Sequence, residues 1–254
     1  VAEPSGTGPI LRASGIAVRF GGLTALDDVD LEVAQGSITG LIGPNGAGKT
    51  TMFNVLTGLQ EPTHGTVHFG GQDVRRWPPP KRARAGMART FQRLQLFVGM
   101  TVRDNLMAAW EAKIPGGVFG RRAAEGRELV EDVIRRLDLT PVANKRSGDL
   151  PTGLGRMVEL GRALCTEPRL LLLDEPSSGL DHTETNRFRD VLLELTGGGH
   201  DVSVLLVEHD MKLVMEVCDS ITVLDFGRRI SCGTPDEIQR DPAVIAAYLG
   251  ESAA

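Results

Sequence analysis

The chain has 254 residues, 41% hydrophobic and 24% charged, the balance of an ordinary globular protein with room for one large domain carrying a lobe. A formal charge of −5 excludes a nucleic-acid binder held by bulk electrostatics, and no apolar run approaches the roughly 20 residues of a membrane span. Cys165, Cys218 and Cys232 are widely spaced without a C-x-x-C pair, which predicts packed thiols and excludes a disulfide framework or zinc site.

In chain order, residues 1–9 are small, polar and Pro/Gly-bearing, read as a flexible tail without the apolar stretch of a signal peptide. Short β-branched runs predict strands over 16–20, 29–33, 38–42 and 66–69. Trp77-Pro78-Pro79-Pro80 reads as a stiff local turn. Between about 101 and 149 the strand signal fades. Thr101-Val102-Arg103-Asp104 resembles a capping box opening a helix, Gly116, Gly117 and Gly120 break it, and a charged amphipathic helix is expected over 122–137. Strands return over 170–174, 202–207 and 221–224. The runs 170–173 and 204–207 are apolar throughout, as in strands of a parallel sheet covered on both faces.

Gly43-Pro44-Asn45-Gly46-Ala47-Gly48-Lys49-Thr50 fits G-x-x-x-x-G-K-[ST], directly after the strand at 38–42 and before a helical pattern through Thr51, Met52, Phe53, Val55 and Leu56. Glycines let backbone N–H groups curl round phosphate oxygens, and the helix dipole adds attraction for an anion. In this pattern Lys49 reaches the β- and γ-phosphates and the Thr50 hydroxyl ligates Mg²⁺. The apolar strand ending at Asp174-Glu175 places Asp174 to hold Mg²⁺ and Glu175 to polarise an attacking water. Together the motifs define a P-loop NTPase. A GTPase would read guanine through Asn-Lys-x-Asp, and the nearest stretch, Asn144-Lys145-Arg146-Ser147, ends in Ser. The GTPase reading fails.

Three further stretches resemble the ATP-binding cassette (ABC) family over nearly the whole chain: Thr90-Phe91-Gln92 its Q-loop, Ser177-Ser178-Gly179-Leu180-Asp181 its D-loop, and His209 its switch histidine. The resemblance implies that ATP is bound by Gly43 through Thr51, that Gln92 contacts Mg²⁺ and water, that His209 contacts the γ-phosphate and that Phe20 stacks on adenine. Taken singly, Phe20 serves equally as a core aromatic, and Asp181 with Glu184 forms a capping box. The implied fold is α/β: a P-loop NTPase-type core, with a mostly parallel sheet carrying helices on both faces, an antiparallel N-terminal β-subdomain and an inserted helical lobe. One nucleotide-binding domain is expected over 10–250, with the lobe over 93–165.

Within the family, Arg19-Phe20-Gly21-Gly22-Leu23, Arg89-Thr90-Phe91-Gln92, Glu208-His209-Asp210-Met211 and Ala247-Tyr248-Leu249-Gly250 are similar to LivG-type subunits of branched-chain amino-acid importers. Related importers carry urea or amides. This resemblance implies a peripheral subunit on the cytoplasmic face of the inner membrane. Its partners would be transmembrane permease subunits and a second ATP-binding subunit, with a binding protein met only indirectly and no nucleic acid. The apolar segment from Leu94 to Met100, just after Gln92, is the expected coupling surface.

One motif departs from the family. The signature, commonly LSGGQ, is here Leu150-Pro151-Thr152-Gly153-Leu154. Pro151 removes a hydroxyl and a backbone donor, and Thr152 with Gly153 is left to act on a partner subunit's ATP. Pairing with a subunit bearing an intact signature is therefore expected. A regulatory subunit with little catalysis is the competing reading, opposed by the intact Lys49, Asp174, Glu175 and His209. A non-transport ATPase would carry two cassettes or a long coiled coil, and this chain has neither.

Overall fold

The computed structural model describes residues 8–114, 121–197 and 202–251. The expected tail thus lies mostly outside the described residues, and the helix break at Gly116, Gly117 and Gly120 lies wholly outside them.

Alternation of apolar and polar residues builds the first sheet. In β1 (Leu11–Phe20) and β2 (Leu23–Val33), Leu11, Ala13, Ile16, Val18, Val29, Leu31 and Val33 face inward, while Arg12 and Glu32 pair across the outer face at 2.6 Å. After the central strand β3 (Ile38–Ile42) and helix α1 (Lys49–Thr57), the chain returns to this sheet. There β4 (His64–Phe69) and β5 (Gln72–Asp73) complete the antiparallel order β2-β1-β4-β5.

The second sheet is the scaffold of the site. Its strands are β6 (Met87–Arg89), β7 (Leu170–Asp174), β8 (Ser203–Val207), β9 (Ser220–Asp225) and β10 (Arg228–Gly233), ordered β10-β9-β3-β8-β7-β6. All pairs are parallel except that of β10 with β9. Every residue of β3, β7 and β8 is buried, because both faces are covered. Leu41, Leu170, Leu172, Leu205 and Val207 join α1 and the antiparallel sheet in one core. Ile42, Leu171, Leu173, Val204 and Leu206 join the helices that follow residue 101 in the other.

The Pro-rich stretch is not the turn expected. Pro78 caps and Pro79 opens a short helix, α2 (Pro79–Arg84), since proline is preorganised for a first helical turn that needs no N–H there. Between β6 and β7 lie α3 (Val102–Lys113), α4 (Arg121–Arg136) and α5 (Thr152–Leu164), whose Leu106, Trp110, Val130, Ile134, Met157 and Leu160 share the second core. At its start, α3 has Thr101 accepting from the Asp104 amide. Beyond β7 come α6 (His182–Thr196), α7 (Met211–Val217), α8 (Pro235–Arg240) and α9 (Pro242–Glu251). Among the described residues no helix is long and apolar enough to cross a membrane.

One thiol expectation needs correction: Cys165 and Cys218 are buried, but Cys232 is exposed. It lies on β10, the last strand of its sheet.

Candidate nucleotide site

The carboxyl ends of β3, β8 and β7 lie side by side, and the residues expected to meet there do. The phosphate loop leaves β3 at Gly43, whose φ of +145° brings its backbone so close to β9 that a Cβ would fall 2.0 Å from the Leu224 carbonyl oxygen. Only glycine fits. Pro44 and Ala47 are buried, with the Ala47 carbonyl taking the Gly227 N–H at 3.1 Å, while Asn45, Gly46 and Thr50 face solvent. Gly48 caps α1, and no acidic residue occupies the helix's first turn to compete with an anion. Lys49 is 6% exposed and folds back along the loop, its Nζ donating to the carbonyls of Gly43 at 2.6 Å and Pro44 at 2.9 Å. Thr51 is half-buried one position further along α1.

Two strand spacings away, roughly 10 Å, β7 ends in Asp174 and Glu175. Glu175 adopts φ +50°, left-handed for a non-glycine residue, which turns its carboxylate back over the sheet end. There it is held from both sides: Gln92 Nε2 donates to Oε2 at 2.7 Å, and His209 Nε2 lies 2.6 Å from Oε1. Residues from three separate stretches of sequence thus converge on one carboxylate.

Phe20 is half-exposed where β1 turns into β2, so the core-aromatic alternative fails. Its cross-strand partner is Leu23, and the same strand's Ala25 and Leu26 lie against Gly48, which sets Phe20 about two strand residues (~7 Å) along from the loop.

At the signature, Pro151 caps α5 without a side-chain bond, Thr152 is exposed, and Leu154 packs against the core. Gly153 is backed by Glu184: a Cβ there would meet Glu184 Oε1 at 1.9 Å. Asp181 and Glu184 do form the capping box, with bonds of 2.8 and 3.0 Å. The D-loop therefore ends in a cap whose carboxylate abuts the signature.

Three elements escape sequence reasoning. Arg89 donates to Asp174 Oδ2 at 3.0 Å and to Asn54 Oδ1 at 2.7 Å, tying β7 to α1. Arg156 and Glu159 of α5, a buried pair 3.0 Å apart, grip the Q-loop backbone. Arg156 donates to the Phe91 and Gln92 carbonyls, and Glu159 takes the Gln95 N–H. Arg82 is wholly buried and donates to the Val55 and Leu56 carbonyls at the end of α1. Arg156 and Glu159 stand out as charges within an apolar helical pattern, but that signal does not say what they touch, and Arg82 lies among Lys81 and Arg84 with no such signal.

A phosphate loop under a parallel sheet, two acidic residues on a neighbouring strand and flanking Gln and His side chains define an ATP-driven motor domain. Residues 26–178 match the family described as ABC transporter, and residues 228–254 the one described as branched-chain amino acid ATP-binding cassette transporter. The chain belongs to the ABC transporter family and is an ATP-binding, ATP-hydrolysing subunit that powers such a transporter.

Among its relatives is the high-affinity branched-chain amino acid transport ATP-binding protein BraF of Pseudomonas aeruginosa, 42% identical over 96% of this chain and 99% of that protein. LivG of Escherichia coli K12, of the same description, is equally similar over the same shares. A solved ATP-binding cassette of an ABC transporter, in its ADP conformation, superposes with a TM-score of 0.83 at 31% identity, covering 96% of this chain and all of that one.

Proposed function

We propose that this subunit drives uptake of branched-chain amino acids by in-line phosphoryl transfer from ATP to water. The observation that supports the catalytic assignment is the Glu175 carboxylate, held by Gln92 and His209 at the strand end beside the phosphate loop. Glu175 takes the proton of the attacking water or orients it, and His209 and Gln92 hold the carboxylate in place. Lys49 exchanges its two loop carbonyls for phosphate oxygens, the loop amides complete the cradle, and Phe20 stacks on the base.

Thr50, Gln92 and Asp174 offer hard oxygen donors of the kind Mg²⁺ takes alongside phosphate oxygens, and Thr50 is exposed at the start of α1. The ion supplies charge neutralisation on the transferring phosphoryl. Among the described residues no cluster of three or more His, Cys, Asp or Glu could hold a metal unaided, which fits an ion brought with its nucleotide.

The amino-acid assignment rests on the C-terminal match over 228–254 and on the relatives' names. A cleft lined by Ala83, Met87, Leu94, Phe97, Ala109 and Ala163 suits a permease segment, and its Leu94 and Phe97 are exposed, as are Val98 and Met100 further along the chain. The subunit is then peripheral, on the cytoplasmic face of the membrane, paired with a second cassette whose signature is intact.

Glu175→Gln should lower turnover by about 10²–10⁴ while ATP still binds. Wild-type turnover in that variant would remove Glu175 from the chemistry. Leucine uptake in vesicles carrying the complete transporter, lost in Glu175→Gln, tests the cargo; uptake of urea or amides in place of leucine would reassign it.

A further inference from the structure

We infer that Glu208 is a positioning residue for the hydrolytic step, pinning Glu175 and His209 into one unit. Its side chain is 3% exposed at the end of β8, and among the described residues no cation pairs with it. Its carboxylate is satisfied instead by backbone amides. Oε1 takes the Ser177 N–H at 2.7 Å, and Oε2 takes those of His209 at 3.0 Å and Asp210 at 3.4 Å. A buried charge without a counter-ion is a costly way to fill space, so stability alone does not account for it.

Its partners point to the reason. Pro176 has no N–H, so the Glu175-Pro176-Ser177 turn owns two amide donors. Glu175 N–H goes to the Val207 carbonyl at 2.8 Å, and Ser177 N–H goes to Glu208. Both donors of the turn are thus fastened to the last residue of β8 and the residue that follows it. The same Glu208 carboxylate fixes the backbone of His209, whose ring meets Glu175 from the other side. Glu175 holds a left-handed backbone (φ +50°) that relaxes unless its surroundings constrain it, and Glu208 supplies that constraint. An acceptor-only group is required: the amide of glutamine would turn a donor toward donors.

The inference rests on the catalytic reading of Glu175 and His209 above, and its test separates the two. Glu208→Gln, His209→Ala and the double variant are assayed for single-turnover ATP hydrolysis in the assembled transporter. Binding of a fluorescent ATP analogue to each variant runs alongside. Glu208→Gln is expected to slow hydrolysis roughly 10- to 100-fold with analogue affinity within threefold of wild type. In the His209→Ala background the same change is expected to cost less than threefold, because the unit it holds is already broken. Wild-type hydrolysis in Glu208→Gln overturns the inference, as does a parallel loss of analogue affinity or a full multiplicative cost in the double variant. If His209→Ala and Glu175→Gln themselves hydrolyse at wild-type rate, the catalytic reading has failed instead.

Discussion

Arg89 donates from Nη2 to the Asp174 carboxylate at 3.0 Å, with each side chain only 9% exposed. The acidic residue assigned to the metal therefore has a resident cation, which also reaches Asn54 on the helix behind the phosphate loop. Removing one member of such a pair leaves an uncompensated buried charge. Arg89→Met should destabilise the nucleotide-free protein by about 3–5 kcal/mol. Mg²⁺ with ATP brings a replacement cation to Asp174, so the rise in melting temperature on adding Mg·ATP should be larger in Arg89→Met than in wild type. An equal or smaller rise would mean that the two cations do not share the carboxylate.

The signature glycine is constrained by the D-loop cap. A methyl at Gly153 would overlap Glu184 Oε1, and Glu184 is not free to swing away because it bonds the Asp181 N–H at 3.0 Å. Gly153→Ala should break the cap of α6 and cost about 0.5–2 kcal/mol. Adding Glu184→Ala removes the obstacle, so a urea-denaturation cycle should give a double variant more stable than the sum of the single losses. Strict additivity would show that the two residues do not collide.

Arg82 acts as a remote cap for α1. The helix has no basic residue in its own last turn, and Arg82 supplies the donors for the Val55 and Leu56 carbonyls from α2. Burial lowers the guanidinium's pKa, evidence of how far it has been taken from water. In Arg82→Met the Leu56 carbonyl loses its donor, at about 1–3 kcal/mol, while Val55 keeps the Gly58 N–H at 3.2 Å, and the urea midpoint should fall accordingly. A midpoint within error of wild type would assign the Leu56 carbonyl another partner.

The thiols should separate cleanly by reactivity. Burial pushes Cys165 and Cys218 up to about 12, so at pH 8 both are neutral and enclosed. Cys232 is exposed. Alkylation at pH 8 followed by intact mass analysis should add one label to the native protein and three after denaturation in urea. Native labelling at Cys165 or Cys218 would mean their surroundings open.

The phosphate loop and the strand bearing Asp174-Glu175 were legible from the sequence because each is one contiguous stretch, whereas Gln92 and His209 were legible only as a resemblance to a family pattern, since the carboxylate they meet lies 83 and 34 positions away. A loop of amides between a strand and a helix must be contiguous, and its glycines announce it. The strands of the parallel sheet were legible for a similar reason, since burial on both faces leaves an unbroken apolar run. Residues 78–80 misled because proline is as much at home opening a helix as stiffening a turn.

What the sequence could not supply was contact across distance. Arg89 against Asp174, Glu208 against Ser177, and Arg156 against the Q-loop carbonyls join residues dozens of positions apart, and the last two spend their hydrogen bonds on backbone groups every residue carries. Side-chain identity determined which residues could do chemistry here. Strand order, by laying β8 between β3 and β7, decided which of them touch.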